Sequence, residues 1–359
     1  MPQPLIYILF DFTDQPSGGG NQFLRMLRDE LSRRGALASD LRHCNVILCN
    51  SFQYLPPLIS LKRQRPEIPV IHRIDGPISL YNPRSDYREV IVHRFNRQLA
   101  DATIFQSKWS QDANHRIGLA HCPFERVVHN CPDPTIFHPP PSRRRPNDGK
   151  VRLLAASWSD NARKGFATYA WMDEHLDWSR FSMTYIGRSP IKFRNIVHLQ
   201  PMNSNALADQ MRSHDIFVFA SEVEACSNVL LEALSCGLPV VAANASSNPE
   251  VLGTGGLVFD EPKQMPDLLD RLVTDYDTIR SKIRVETRQQ VVTAYVELAE
   301  LLIAESSAGR YQPKSLAIAG SYLLHYTIAR WQWANRSRRL LARVRSLVHR
   351  KRAEIECKP

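Results

Sequence analysis

Short apolar runs recur along the chain, separated by stretches long enough for helices. LIYILFDF (5–12) opens the series. The turn-rich TDQPSGGGN follows, and then FLRMLRDELSRRG, in which Phe23, Leu24, Leu27 and Leu31 recur at helical spacing. This reads as a strand, a glycine loop and a helix. Further strand-like runs at 45–50, 69–74 and 102–107 alternate with helical or loop stretches, the pattern of a parallel sheet wrapped by helices.

HPPPSRRRPNDG (138–149) packs prolines, arginines and a closing glycine together with no periodic apolar face, and reads as a linker. The alternation restarts at VRLLAAS (151–157) and continues through 181–187, 195–199, 215–221 and 238–244. The predicted fold class is α/β. A first Rossmann-like domain covers residues 1–140, a linker 141–150, a second Rossmann-like domain 151–300, and C-terminal helices with a basic amphipathic tail 301–359. Two such domains face each other across a cleft at the carboxyl ends of their strands, where open α/β sheets bind ligands.

Composition changes this picture in three places. The 359 residues are 43% hydrophobic, enough for two real cores. The N-terminus reads as a first strand and no run reaches the roughly 20 apolar residues of a membrane span, so a cytoplasmic location is expected. The seven cysteines are odd in number and form no close pair, which points to reduced thiols.

The formal charge is +10, of which +8 lies from Arg330 onward. A basic face across the main body is excluded, and a nucleic-acid partner is disfavoured. Near the end, Leu340, Leu341, Val344, Leu347 and Val348 fall on one helical face, with Arg338, Arg339, Arg343, Arg345 and Arg350 on the others. Residues 330–352 hold nine Lys/Arg and no acid, beside Trp331 and Trp333. A helix packing back on the first domain explains the apolar stripe. The charge and the tryptophans suit an anionic membrane surface, which places the protein at the inner membrane face.

The chemistry concentrates in SEVEACSNVLLEALSCGLPVV (221–241). Ser227 is placed to cap a helix whose buried stripe is Val229, Leu230, Ala233 and Leu234, and Gly237 with Pro239 ends it. Glu232 lies off that stripe and Glu224 sits in the preceding loop. A helix starting in the cleft offers free N–H groups and a positive dipole end to a phosphate, while nearby carboxylates accept hydrogen bonds from sugar hydroxyls. The combination suits a nucleotide-sugar.

With Glu224 and Glu232 eight apart ahead of CGLPVV (236–241), the sequence resembles the family-four retaining glycosyltransferases, the group 1 glycosyl transferases of GT-B fold, which carry an E-x7-E motif there. SGGGN before the first helix, VVHNCPDPTIF (127–137), ARKGF (162–166), SSNPEVLG (246–253) and GGLVF (255–259) extend the resemblance over most of the chain. It implies metal-independent transfer of a sugar from a nucleoside-diphosphate sugar to an acceptor hydroxyl, with no cofactor and with a glycan or a lipid-linked molecule as acceptor.

By that resemblance the donor site comprises Gly18, Gly19, Gly20, Arg163, Lys164, Ser227, Asn228, Val229 and Glu232. Lys164 and the helix N–H groups around Ser227 to Val229 meet the departing diphosphate, the glycines let backbone approach it, Glu232 bonds the ribose, and Glu224 bonds the transferred sugar. Two departures from the family pattern stand out. Ser159 occupies the place of an arginine five residues before the lysine, with Arg163 as a substitute. Asp75, three residues after His72 in VIHRIDGP, stands where the family has a histidine, and takes the acceptor-side catalytic role beside Glu224 and Lys164.

Other readings are weaker. His121, Cys122, His129 and Cys131 match no tight zinc spacing, so no metal is expected. A nucleotide-sugar epimerase on the same fold needs a dedicated base for a carbon-bound proton, and none is evident. A degenerate nucleotide-sugar or nucleic-acid binding protein is opposed by the presence of Glu224, Glu232 and Lys164 together.

Overall fold

The computed structural model describes residues 3–13, 19–82, 86–141 and 149–356, with side chains in the last helix described as far as residue 337. Two parallel sheets, each covered by helices, make an α/β protein of GT-B architecture. The first sheet runs β1 (Ile6–Leu9), β2 (Val46–Asn50), β3 (Val70–Ile74), β4 (Ala102–Phe105) and β5 (Phe124–Val127) in that spatial order. β2, β3 and β4 are buried at every position, because a sheet covered on both faces needs continuous rather than alternating apolar runs.

Residues 36–38 pair with the free edge of β1: Ile6 N–H donates to Ala36 O at 2.8 Å and Ala38 N–H to Ile6 O at 2.9 Å. The chain therefore goes to one side of β1 first and crosses to β2 on the other. The winding reverses at β1, and a crevice opens at the carboxyl ends of strands where it does so.

The second sheet is β6 (Val151–Ser157), β7 (Phe181–Gly187), β8 (Val197–Leu199), β9 (Ile216–Phe219), β10 (Val240–Ala243) and β11 (Gly256–Phe259), in the order β11-β10-β9-β6-β7-β8. Its winding reverses between β6 and β9, a second switch point.

Helices α1 (Gly19–Arg33), α2 (Leu55–Gln64), α3 (Ile78–Tyr81), α4 (Tyr87–Leu99) and α5 (Lys108–Arg116) fill the connections of the first sheet. Those of the second hold α6 (Phe166–His175), α7 (Ser204–Ser213), α8 (Asn228–Ser235), α9 (Asn248–Leu252), α10 (Met265–Thr274) and α11 (Tyr276–Ser281). α12 (Arg288–Ser307) and α13 (Ile318–Glu356) complete the chain.

The expected second domain, 151–300, ends too late. α12 opens with a capping box of Thr287 and Gln290 and inserts Val291, Val292, Tyr295, Leu298, Ala299, Leu302 and Ile303 into the first-domain core beside Phe23, Leu24, Leu27 and Leu31 of α1. Burial of each large apolar side chain contributes roughly 1.5–3 kcal/mol, which fixes the helix there. The chain thus crosses back to the first domain just before Arg288.

On the other face of the first sheet, α2, α4 and α13 bury Leu58, Ile59, Phe95, Leu324 and Ile328 around β2 and β3. α13 is one helix of 39 residues. The face expected from Leu340, Leu341, Val344, Leu347 and Val348 lies outside the described side chains. No helix among the described residues is long and apolar enough to cross a membrane.

Candidate active site

A cleft of about 710 Å³ separates the two sheets, inside the roughly 300–1,000 Å³ range of small-molecule sites. Gly19 and Gly20, Arg25, Arg73 and Asp75 line its first-domain wall, and Lys164, Glu224, Ser227 to Val229 and Glu232 line the second.

The starts of α1 and α8 meet here. A Cβ on Gly19 would lie 1.9 Å from Nδ2 of Asn228, so glycine is what allows the two helix ends to approach. Ser227 occupies the N-cap position of α8 but makes no side-chain cap. The first-turn N–H groups of α8, which lack intrahelical acceptors, are therefore not taken up by its hydroxyl. Two positive helix ends point into one cleft, an arrangement that favours anions.

Lys164 is positioned by the glycine that follows it. Gly165 has φ 77°, and a Cβ there would fall 2.0 Å from Ala220 O, so the turn carrying Lys164 presses against the end of β9. Lys164 Nζ then donates to Glu224 Oε1 at 2.6 Å and stands 5.4 Å from the Tyr81 ring of the first domain. Burial pulls the ammonium pKa down, but Glu224 and Tyr81 outweigh it and the net shift is upward, keeping the cation charged.

Glu224 Oε1 also accepts from Ser221 Oγ at 2.6 Å, and its backbone N–H donates to Ser246 Oγ at 2.9 Å. Its loop is thereby tied to the β10–α9 connection. Glu232, one helical stretch further on, is half-buried in the cleft floor, and burial pushes its carboxyl up to about 7.

On the opposite wall Arg73, next to the carboxyl end of β3, is 1% exposed. Its guanidinium donates to Asn50 Oδ1 and to Asn130 Oδ1, each at 2.6 Å, and lies 4.6 Å from the Phe23 ring centroid. Asn130 Nδ2 in turn donates to Asn228 Oδ1 at 2.8 Å, carrying the network across to α8. Asp75 stands 3.5 Å from Arg73 and accepts a short hydrogen bond from Gln106, while half its side chain remains open to the cleft.

Residues 182–275 match the model of the family described as glycosyl transferases group 1. That stretch of the second domain is similar to the group 1 glycosyl transferases. The phosphatidylinositol N-acetylglucosaminyltransferase gpi3 subunit of Schizosaccharomyces pombe is 32% identical over 107 residues, 28% of this chain and 23% of that one. The O-antigen chain mannosyltransferase B of Escherichia coli is 52% identical over 44 residues, 12% of each chain. The chain thus spans less than a quarter of the length of these curated relatives.

Among solved structures, sucrose-phosphate synthase from Thermosynechococcus elongatus superimposes with a TM-score of 0.61 at 15% identity, over 95% of this chain and 100% of that one. Anabaena HepE, in complex with UDP and glucose, gives 0.59 at 15% identity, over 85% and 100%. At such identity the likeness is one of fold.

The cleft brings together Gly19, Gly20, Lys164, Ser227, Asn228, Val229, Glu224, Glu232 and Asp75, as the sequence led one to expect. Gly18 lies outside the described residues. Val229 differs in detail: it is half-buried and turned to the cleft, and Leu231 replaces it in the buried stripe of α8.

Arg163 is corrected. It points outward and pairs with Glu222 at 2.9 Å, both half-exposed, because the tight turn before Gly165 directs neighbouring side chains to opposite sides. It does not replace the missing arginine at Ser159, whose hydroxyl accepts from Asn161 N–H. The cations that accompany Lys164 in the cleft are Arg25, Arg73 and Arg88 of the first domain.

Sequence reasoning missed Arg73, Arg25, Tyr81 and Asn130. The signal for Arg73 was present: an arginine inside the otherwise apolar strand VIHRI has no place in a core unless it reaches a polar site. His72 beside it faces away, donating to Ser51 O at 2.7 Å, and burial lowers its pKa to about 4, so it stays neutral.

The four residues weighed as a zinc set do not converge. Cys122 and Cys131 are buried in separate places, and His129 pairs with Glu250. His121 instead stacks on His115 at 3.8 Å and 24°, beside Glu125.

Proposed function

We propose that this protein is a retaining, metal-independent glycosyltransferase that moves a sugar from a nucleoside-diphosphate sugar to an acceptor hydroxyl in glycan, polysaccharide or glycolipid biosynthesis. One observation carries the reading: the starts of α1 and α8, Lys164 and the carboxylates Glu224 and Glu232 all open on one cleft. The match of residues 182–275 to the group 1 glycosyl transferase model supports the class of reaction. The complexes of Anabaena HepE with UDP and glucose and with UDP-glucose support the class of donor.

In this reading the diphosphate lies between the two helix ends, and Lys164 stabilises the charge that grows on it as the glycosidic bond breaks. The first-domain cations Arg25 and Arg73 contribute the positive potential that Ser159 does not. Glu232 accepts from the ribose hydroxyls and Glu224 from the hydroxyls of the transferred sugar. Asp75, on the facing wall, orients the acceptor hydroxyl on the same side of the sugar as the leaving diphosphate, which retains the anomeric configuration. Fixed cations and helix dipoles perform the charge stabilisation otherwise supplied by a divalent ion.

The test is transfer from a radiolabelled nucleotide-sugar panel to membrane and glycan extracts, with EDTA present, followed by determination of the anomeric configuration of the product. Transfer with retained configuration in EDTA is expected. Transfer that requires a divalent ion, or inversion, contradicts the mechanism. Absence of any transfer with every donor contradicts the activity.

A further inference from the structure

α13 carries an apolar stripe on its outer side. Ile318, Tyr322, Tyr326 and Trp333 are 67%, 73%, 59% and 71% exposed. Their spacing of four, four and seven residues keeps them on one face, and at about 1.5 Å per residue the stripe is about 22 Å long. The opposite side of the helix is already used: Leu324, Thr327 and Ile328 are buried against the first domain, and Thr327 Oγ1 accepts from Arg94 at 2.6 Å.

Trp331, expected to share a lipid-facing role with Trp333, instead packs inward on Phe52 with ring centroids 5.6 Å apart. The outward set is therefore one tryptophan, two tyrosines and an isoleucine. Chain charge is distributed around this stripe in an unusual way. No Lys, Arg, Asp or Glu occurs between Lys314 and Arg330, and no Asp or Glu between Glu305 and Glu354, an interval holding eleven Lys/Arg.

We infer that the outer face of α13 docks on an anionic lipid bilayer. An uncharged aromatic stripe followed on the same helix by an acid-free basic segment matches both parts of such a surface. Tyrosine and tryptophan settle at the boundary between headgroup and acyl chain, and the basic residues meet the negative potential of the leaflet. A second copy of the chain is a poor fit, because two acid-free basic helices repel. Nucleic acid would be met by the basic part alone and leaves the stripe uncovered.

The inward side of the same helix reaches a residue that lines the cleft. Phe52 touches Trp331 on one side and lines the cleft on the other, with Arg88 over its ring at 5.2 Å. Lipid contact on the outer side of α13 would therefore hold the first-domain half of the protein at the bilayer surface. This inference rests on the exposed helix and does not depend on the transfer chemistry.

The experiment is co-sedimentation of the full chain with vesicles of phosphatidylcholine mixed with phosphatidylglycerol, and with vesicles of phosphatidylcholine alone. Binding to the mixed vesicles is expected, with roughly tenfold or greater weakening when Tyr322→Ser, Tyr326→Ser and Trp333→Ser are combined. Tyr322→Ser alone, at the most exposed site, is expected to give a partial loss and an unchanged melting temperature. Undiminished binding by the triple variant overturns the stripe as the contact. Absence of binding to mixed vesicles, or dimers in solution that the triple variant abolishes, overturns the bilayer as its occupant.

Discussion

Lys164 Nζ and Glu224 Oε1 lie 2.6 Å apart in the cleft, with both side chains less than one-fifth exposed. This contact joins the turn before α6 to the loop before α8. A cation and a carboxylate on the cleft wall thus neutralise each other.

Replacing either partner is expected to cost more in transfer than in stability. Lys164→Ala should lower kcat roughly a hundredfold or more, because a preorganised charge on the leaving group is lost. It should destabilise the fold by about 1–3 kcal/mol, since Glu224 keeps its bond from Ser221. A double-mutant cycle on melting free energy, with Glu224→Gln as the second change, checks the coupling. An additive cycle contradicts the ion pair.

In the proposed donor site, Glu232 should make binding depend on pH. Its carboxyl is pushed up to about 7 by burial, so the folded protein holds a proton there that the unfolded chain releases near the ordinary carboxylate range. The free protein should therefore lose stability relative to Glu232→Gln as pH rises toward about 7 and level off above it. Donor affinity should move the other way, strengthening as the carboxylate ionises to accept ribose hydroxyls. Calorimetric titrations with a nucleotide-sugar between about pH 6 and about pH 8 check the second trend, and thermal melts the first.

Arg73 is a positioning residue whose loss should reach across the cleft. Arg73→Leu removes the donors to Asn50 and Asn130 and leaves both amides short of partners, with an expected cost of about 3–5 kcal/mol. Arg73→Lys keeps the charge but cannot span both asparagines, so an intermediate loss is expected. Melting temperatures order the two variants. A raised KM for donor in the Lys variant, at preserved fold, distinguishes a role at the cleft from core packing.

Much of this site was legible in the sequence because its parts are local. The E-x7-E spacing, the KG turn and the glycines at the start of α1 are contiguous stretches whose geometry follows from short-range rules. Gly165 must be glycine to fit against the Ala220 backbone, while a side chain at Gly19 would have to displace the Asn228 amide. The missed parts are tertiary. Arg73 reaches the cleft only because β3 ends beneath it, and α12 belongs to the first domain only because α1 offers it an apolar face. The outward turn of Arg163 and the inward turn of Trp331 are likewise set by neighbours far away in the chain.

His129 and Glu250 form a pH-linked bridge between the domains. Glu250, from α9, accepts from Lys108 N–H at 2.7 Å and Trp109 N–H at 3.1 Å at the start of α5, and from His129 Nε2 at 3.0 Å. Its hydrogen bond to Glu250 raises the imidazole pKa. That contribution should be complete below the ordinary histidine value and fade as pH rises through the raised one. The stability difference between wild type and His129→Gln, expected to be about 1 kcal/mol or less, should vanish at alkaline pH. A difference that persists there contradicts a charged bridge.

The most direct test of the cleft as a donor site is a thermal-shift screen against UDP, GDP, ADP and their common sugar conjugates, with EDTA present, on wild type and Glu232→Ala. A ligand that binds only the folded state raises the melting temperature by mass action. One nucleotide-sugar is expected to stabilise the wild type in EDTA, and Glu232→Ala to lose that shift. If no member of the panel stabilises the wild type, or if the variant responds equally, the cleft does not hold a nucleotide-sugar in the manner proposed.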